Sequence, residues 1–111
     1  MWGICLDWSI DYVNLFQRVV EYQLDTDSCK AIILKPIKDI IISSESIRAL
    51  DRPPVFTYGA MVSPINHSNI IGEIREIIWN FKNNDSDYYI EVNGIKKSKR
   101  YCADDLTERK L

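Results

Sequence analysis

Asn93-Gly94 is the dipeptide that most restricts this chain. It separates Tyr88-Tyr89-Ile90-Glu91-Val92 from a run that begins at Ile95 and continues to Tyr101. Both turn residues tolerate positive φ, and a two-residue type I′ turn needs that at both positions. The pair therefore predicts a β-hairpin, with asparagine and glycine setting the register of two strands. Period-two patterning elsewhere points the same way. Trp2, Ile4, Leu6, Trp8, Ile10 and Tyr12 alternate with small or polar residues, which predicts a long first strand. A helix capped by Ser9, with Ile10, Val13, Phe16, Val20 and Leu24 on one face, is the rival there.

Two apolar runs, Val19–Leu24 and Cys29–Leu34, flank the polar turn Asp25-Thr26-Asp27-Ser28 and read as a second hairpin. Ile37 and Ile40–Ile42 form a further short strand. Ser43-Ser44-Glu45-Ser46 could cap a helical turn through Leu50. Met61-Val62-Ser63-Pro64 reads as a strand and Ile65–Asn69 as a loop. Residues Ile70, Ile71, Ile74, Ile77, Ile78 and Phe81 recur at helical spacing, yet Gly72 and the isoleucines suit a helix poorly. Two strand segments joined by a bulge near Glu76 give the same phase break. Asp104-Asp105-Leu106 predicts a closing turn, and Thr107–Leu111 is expected to fray. No internal repeat is visible.

With 111 residues, the chain has the length of one domain, divisible into strands and a hairpin over 1–55 and a barrel portion over 56–106. Its net charge of −2 argues against a dedicated nucleic-acid binder. Three cysteines without a CxxC pair fit neither a disulfide framework nor a zinc site, and His67 has no second histidine to share a metal with. No cofactor, no metal and no catalytic set are expected. Asp104-Asp105 and Asp85-x-Asp87 read as capping and turn residues, and the cysteines as small core residues. No leader and no membrane span are expected, which places the chain in a reducing cytoplasm.

Residues Tyr58, Gly59, Val62, Pro64, Gly72, Trp79, Phe81, Tyr88, Tyr89, Ile90, Asn93, Gly94, Arg100, Tyr101, Asp105 and Leu106 resemble the layout of a small SH3-like barrel module of bacterial proteins. The resemblance covers about residues 58–106. It implies a mostly β fold, an SH3-like barrel with an N-terminal hairpin extension, and it moves 70–81 from helix to strand. The alternative is an α+β fold with a helix over 70–82. More loosely, a chain of this size resembles the immunity proteins of bacterial contact-dependent and polymorphic toxin systems. That implies a non-catalytic protein whose partner is a toxin domain. A nuclease's substrate channel is basic, so the partner-binding candidates are the acids Asp7, Asp11, Glu21, Asp25 and Asp27. Trp79, Phe81, Tyr88 and Tyr89 are the candidate groove aromatics. The competing reading is a nucleic-acid-associated module using Lys96, Lys97, Lys99 and Arg100, cations beside aromatic platforms. On a strand those four would divide between two faces, and lysines also protect sheet edges.

Overall fold

The computed structural model describes residues 1–8 and 14–109. The chain is mostly β, built from antiparallel strands, and forms two compact units, Met1–Pro53 and Pro54–Leu111.

The first unit contains β1 (Trp2–Cys5), β2 (Val19–Asp25), β3 (Lys30–Lys35), β4 (Ile40–Ser43), a 3-10 turn (Ser44–Ser46) and β5 (Ile47–Ala49). These lie in the order β4-β3-β2-β1-β5. What the sequence suggests is a hairpin extension is thus a five-stranded sheet in its own right. Cys5, Leu15, Val20, Tyr22, Ala31, Ile33 and Ile42 make its core, with Ile40 and Ile47 packed against them. The alternation that runs on to Tyr12 stops serving as a strand at Cys5. There the Leu6 amide turns aside to donate to the Ser46 carbonyl at 2.7 Å, while Cys5 exchanges bonds with Gln17 and Arg18. Residues 9–13, which carry the rest of that alternation and the rival cap, lie outside the described residues. The expected helical turn through Leu50 ends at Ser46, because Ile47–Ala49 is drawn into the ladder with β1.

The second unit contains β6 (Met61–Pro64), β7 (Gly72–Asn80), β8 (Asp85–Val92), β9 (Ile95–Lys96), β10 (Tyr101–Cys102), a 3-10 turn (Ala103–Asp105) and β11 (Leu106–Glu108). The order is β10-β8-β7-β6-β11, with β9 also on β8. Residues 70–82 are therefore not a helix. The register of β7 on β8 shifts between Ile74 and Glu76. Gly72 and Ile74 are buried before the bulge, Ile77 and Trp79 after it, so the inward face changes phase and mimics a helical period. Tyr58 secures this place. Its hydroxyl donates to the Ile77 carbonyl and accepts from the Ile77 amide, both at 3.3 Å, filling the position of a neighbouring strand. Of the stretch expected to fray, Thr107 and Glu108 pair with β6, and residues 110 and 111 lie outside the described residues.

The two units share one plan. Cys5 pairs with Ile47 and Pro64 with Leu106; Ile4 pairs with Arg48 and Ser63 with Thr107. The Leu6 amide meets the Ser46 carbonyl, and the Ile65 amide meets that of Asp105. Leu50 donates to Trp2, and Arg109 to Met61. Each second-unit residue lies 59 positions after its counterpart. The structure therefore holds the internal repeat that the sequence conceals.

Asn93 and Gly94 have φ of 52° and 78°, and Val92 pairs with Ile95, as a type I′ turn requires. Nothing lies within 4 Å of a Cβ built on Gly94, so substitutions there test backbone conformation alone. Gly94→Val should cost about 1–2 kcal/mol, from the left-handed geometry forced on a β-branched residue. Gly94→Ala should cost less and Gly94→Asn least. Urea melts give the ranking, and a valine variant as stable as the parent would refute the turn.

Candidate partner-binding surfaces

The described acids singled out by charge lie spread along the first unit's sheet, and each has a local partner or a cation across the ladder to weigh against it. Asp25 ends β2, and its Oδ1 accepts the Asp27 amide at 3.1 Å. Its carboxyl is held below the usual carboxylate range, first by the Ser28 hydroxyl and then by the Asp27 amide. That is turn chemistry. Across the ladder Asp25 faces Lys30, and Glu21 faces Lys35, so a cation offsets each acid. Asp7 follows β1, beside the start of β2, and takes the Ser46 hydroxyl on its Oδ2 at 3.3 Å. From there to Asp25 is the length of β2, about 20 Å at the rise of an extended strand. Asp11 lies outside the described residues.

The four aromatics divide as well. Trp79 and Tyr88 are core residues, 8% and 0% exposed, and cannot line an open groove. The Tyr88 hydroxyl accepts the Val55 amide at 3.0 Å and that of Phe56 at 3.5 Å. Its ring meets Phe56 edge-on at 5.4 Å. Burial raises its phenol pKa. Pleating sends Tyr89 to the opposite face of β8, half-buried, with the Lys96 ammonium 5.5 Å from its ring centre. Phe81 is exposed just beyond the end of β7.

The basic segment is partly neutralised. Lys96 pairs with Glu76, and Arg100 Nε lies 2.7 Å from Asp87 Oδ2. Asp87 is buried and also takes the Asn80 amide group at 2.9 Å, so Arg100 anchors this stretch to the sheet. Lys97 keeps an exposed side chain while its amide donates to the Ile90 carbonyl at 2.9 Å. Lys99 stands over the Tyr101 ring at 5.0 Å. Two of the four cations are thus committed to carboxylates within the fold, which weakens their claim on phosphates.

A concavity of about 230 Å³ opens where the loop after β6 meets the second 3-10 turn. Ile65, His67, Lys99, Tyr101, Asp104 and Asp105 line it. Asp105 Oδ2 accepts from the Cys102 amide at 3.1 Å and from its thiol at 3.2 Å. That bond, the largest cause in each case, pushes the thiol pKa up and the Asp105 carboxyl pKa down. A thiol so held is a poor nucleophile. Among the described residues no group of three or more His, Cys, Asp and Glu could hold a metal ion.

The repeat marks the corresponding place in the first unit. The counterparts of Ile65, Asn66, His67, Asp104 and Asp105 are Leu6, Asp7, Trp8, Glu45 and Ser46. Trp8 is 78% exposed there and stacks on Phe16, with ring centres 3.6 Å apart and planes inclined by 29°. Alternation assigns Trp8 to an apolar strand face. Its role as an exposed aromatic becomes visible only once β1 is seen to stop at Cys5. No described helix is long and apolar enough to cross a membrane.

A family of unknown function (DUF6960) matches over residues 38–107, well over half of the chain. No curated protein and no solved structure matches it.

Proposed function

We propose that this chain, which belongs to the DUF6960 family, is a non-catalytic protein-binding module, acting as a cytoplasmic immunity protein that covers the active surface of a bacterial toxin. The observation that carries the reading is Trp8, a tryptophan left 78% exposed and stacked on Phe16. A large aromatic in water costs solvation unless something covers it, and pre-stacked tryptophans are effective anchors in protein interfaces. The strand order with a 3-10 turn before the last strand, present in both units, supports the SH3-like reading.

The mechanism is occlusion by shape and charge, with no bond made or broken. Nucleic-acid binding by Lys96–Arg100 draws less support, because Glu76 and Asp87 already occupy Lys96 and Arg100.

The test is co-expression with the product of the gene immediately upstream. That product alone should arrest growth, and this chain should restore it. Trp8→Ala should weaken the complex by about 2 kcal/mol, some thirtyfold, as for a hot-spot tryptophan. An upstream product that is harmless, or a rescue that depends on added nucleic acid, would sink the reading. Oligonucleotide titration at physiological salt should show no specific binding. Sub-micromolar affinity, lost when Lys96, Lys97, Lys99 and Arg100 become alanine, would favour the nucleic-acid reading instead.

A further inference from the structure

Asparagine is among the thermally labile residues. It loses its side-chain amide by a ring closure in which the backbone nitrogen of the next residue attacks its Cγ. A side chain on that next residue obstructs the approach. Leu15, His67, Ile70, Phe81, Asn84 and Asp85 follow the other asparagines, and Asn93 alone is followed by glycine. The fold leaves this pair open as well. Both residues are exposed, and a Cβ built on Gly94 meets nothing within 4 Å. The pairing of β8 with β9 closes at Val92 and Ile95, so the Asn93 and Gly94 amides lie beyond the ladder. Asn80 has the opposite surroundings. Its Nδ2 donates to Asp87 at 2.9 Å, and its Oδ1 accepts the Lys82 and Asn83 amides, both at 3.1 Å. That carboxamide is held on both sides.

We infer that Asn93 is a self-modification site, at which the chain deamidates through a succinimide and then rearranges its own turn. The Gly94 amide nitrogen gives its proton to solvent and bonds to Asn93 Cγ. The Cγ–Nδ2 bond breaks, and ammonia leaves. Water then opens the ring. Attack at Cγ restores the ordinary backbone and leaves aspartate. Attack at the Asn93 main-chain carbonyl carbon leaves the chain linked through Cγ, as isoaspartate. Water is the sole co-reactant, and nothing is oxidised or reduced. Each product carries a new negative charge. Aspartate tolerates the φ of 52° at this position, so that product keeps the turn. Isoaspartate adds a methylene to the main chain, which a two-residue type I′ loop cannot take up without losing its register. β9 is two residues long. It is held by its pairing with Glu91 and Val92, by the Lys97 amide on the Ile90 carbonyl, and by Lys96 set between Glu76 and the Tyr89 ring. The isoaspartyl form therefore withdraws Lys96 from Glu76 and Tyr89. This inference is independent of the toxin-binding reading, which rests on Trp8.

The test incubates the full chain in mildly alkaline buffer at physiological temperature and follows it by peptide mass spectrometry. An isoaspartyl methyltransferase with a labelled methyl donor reads isoaspartate. The peptide holding residue 93 should gain the mass of deamidation before any other asparagine peptide, and isoaspartate should accompany aspartate in it. That ranking needs no variant. Gly94→Ala, checked for folding by circular dichroism, should leave residue 93 unconverted over the interval in which half of the parent converts. The isoaspartyl form, separated from the parent by anion exchange, should lose exchange protection at the Lys97 amide. Freshly purified Asn93→Asp should keep it. Another asparagine converting first, or a folded Gly94→Ala variant converting as fast as the parent, overturns the inference. Aspartate without isoaspartate would mean direct hydrolysis of the side chain and overturns the ring closure. An isoaspartyl form that still protects Lys97 overturns the rearrangement of the turn.

Discussion

Replacing Gly3, the one glycine of the first unit, should open its sheet. Gly3 lies in β1 between Val20 of β2 and Ala49 of β5. A Cβ there would come within 2.9 Å of the Arg48 carbonyl oxygen, 2.9 Å of Tyr22 Cε1 and 2.5 Å of Ile47 Cγ2. The side chains could shift, but the carbonyl belongs to the β5 backbone and can retreat only by opening the ladder. Gly3→Val should therefore cost about 3–4 kcal/mol, at the upper end for overpacking, and Gly3→Ala somewhat less. Urea melts give the size of the loss. Amide exchange should show protection falling first along Trp2–Cys5 and Ile47–Ala49. A loss under about 1 kcal/mol would mean that β1 does not run between β2 and β5 as described.

Tyr88 should be the most sensitive residue of the second unit. It is fully buried, and its hydroxyl accepts the Val55 and Phe56 amides. Tyr88→Ala removes a core aromatic and should cost about 3–5 kcal/mol. Tyr88→Phe keeps the ring against Phe56 but leaves those amides without this acceptor, and should cost about 1–3 kcal/mol. In the phenylalanine variant, exchange should accelerate at Val55 and Phe56 before the sheet itself. The phenol also has a pH signature. Burial raises its pKa, so the folded state holds the proton more tightly than the unfolded chain. That contribution is complete below the ordinary phenol pKa of about 10 and is lost as pH rises past it. Tyr88→Phe should flatten the alkaline part of the stability curve. An unchanged curve would place the hydroxyl in water.

How much of this could be read in advance depends on whether the cause is local. Asn93-Gly94 states its own conformation, because two adjacent positive-φ residues are chemically marked. The Asp25–Ser28 turn is legible because short polar residues mark it, the Asp25 Oδ1 taking the Asp27 amide. Residues 70–81 are harder. The bulge between Ile74 and Glu76 turns two strand phases into an apparent helical period, and Gly72 is the local hint against the helix. The end of β1 carries no local mark at all. It is set by the Ser46 carbonyl, 40 residues away in the chain, capturing the Leu6 amide. Alternation places Trp8 on a strand face for that reason, and the exposed aromatic of the first unit is hidden with it. Composition reports the number of acids and not their spacing, which is set by β2 lying between Asp7 and Asp25. The repeat is invisible because main-chain bonds carry it. Trp2 and Met61, Ile4 and Ser63, Cys5 and Pro64, and Arg48 and Thr107 are counterparts without one identity among them.

The pairing of first strand with last imposes an order on how each unit can form. β1 gains its second neighbour only when Ile47–Ala49 arrives, and β6 only when Leu106–Glu108 does. Bringing ends some forty residues apart together costs on the order of 3 kcal/mol in chain entropy, whereas the β2–β3 and β7–β8 hairpins close short loops. Hairpins should appear early and closure late, in the slow regime of folds dominated by distant contacts. During synthesis, β1 would wait on a ribosome that has not yet released β5, and over that interval Ile4 and Cys5 are partnered on one side alone.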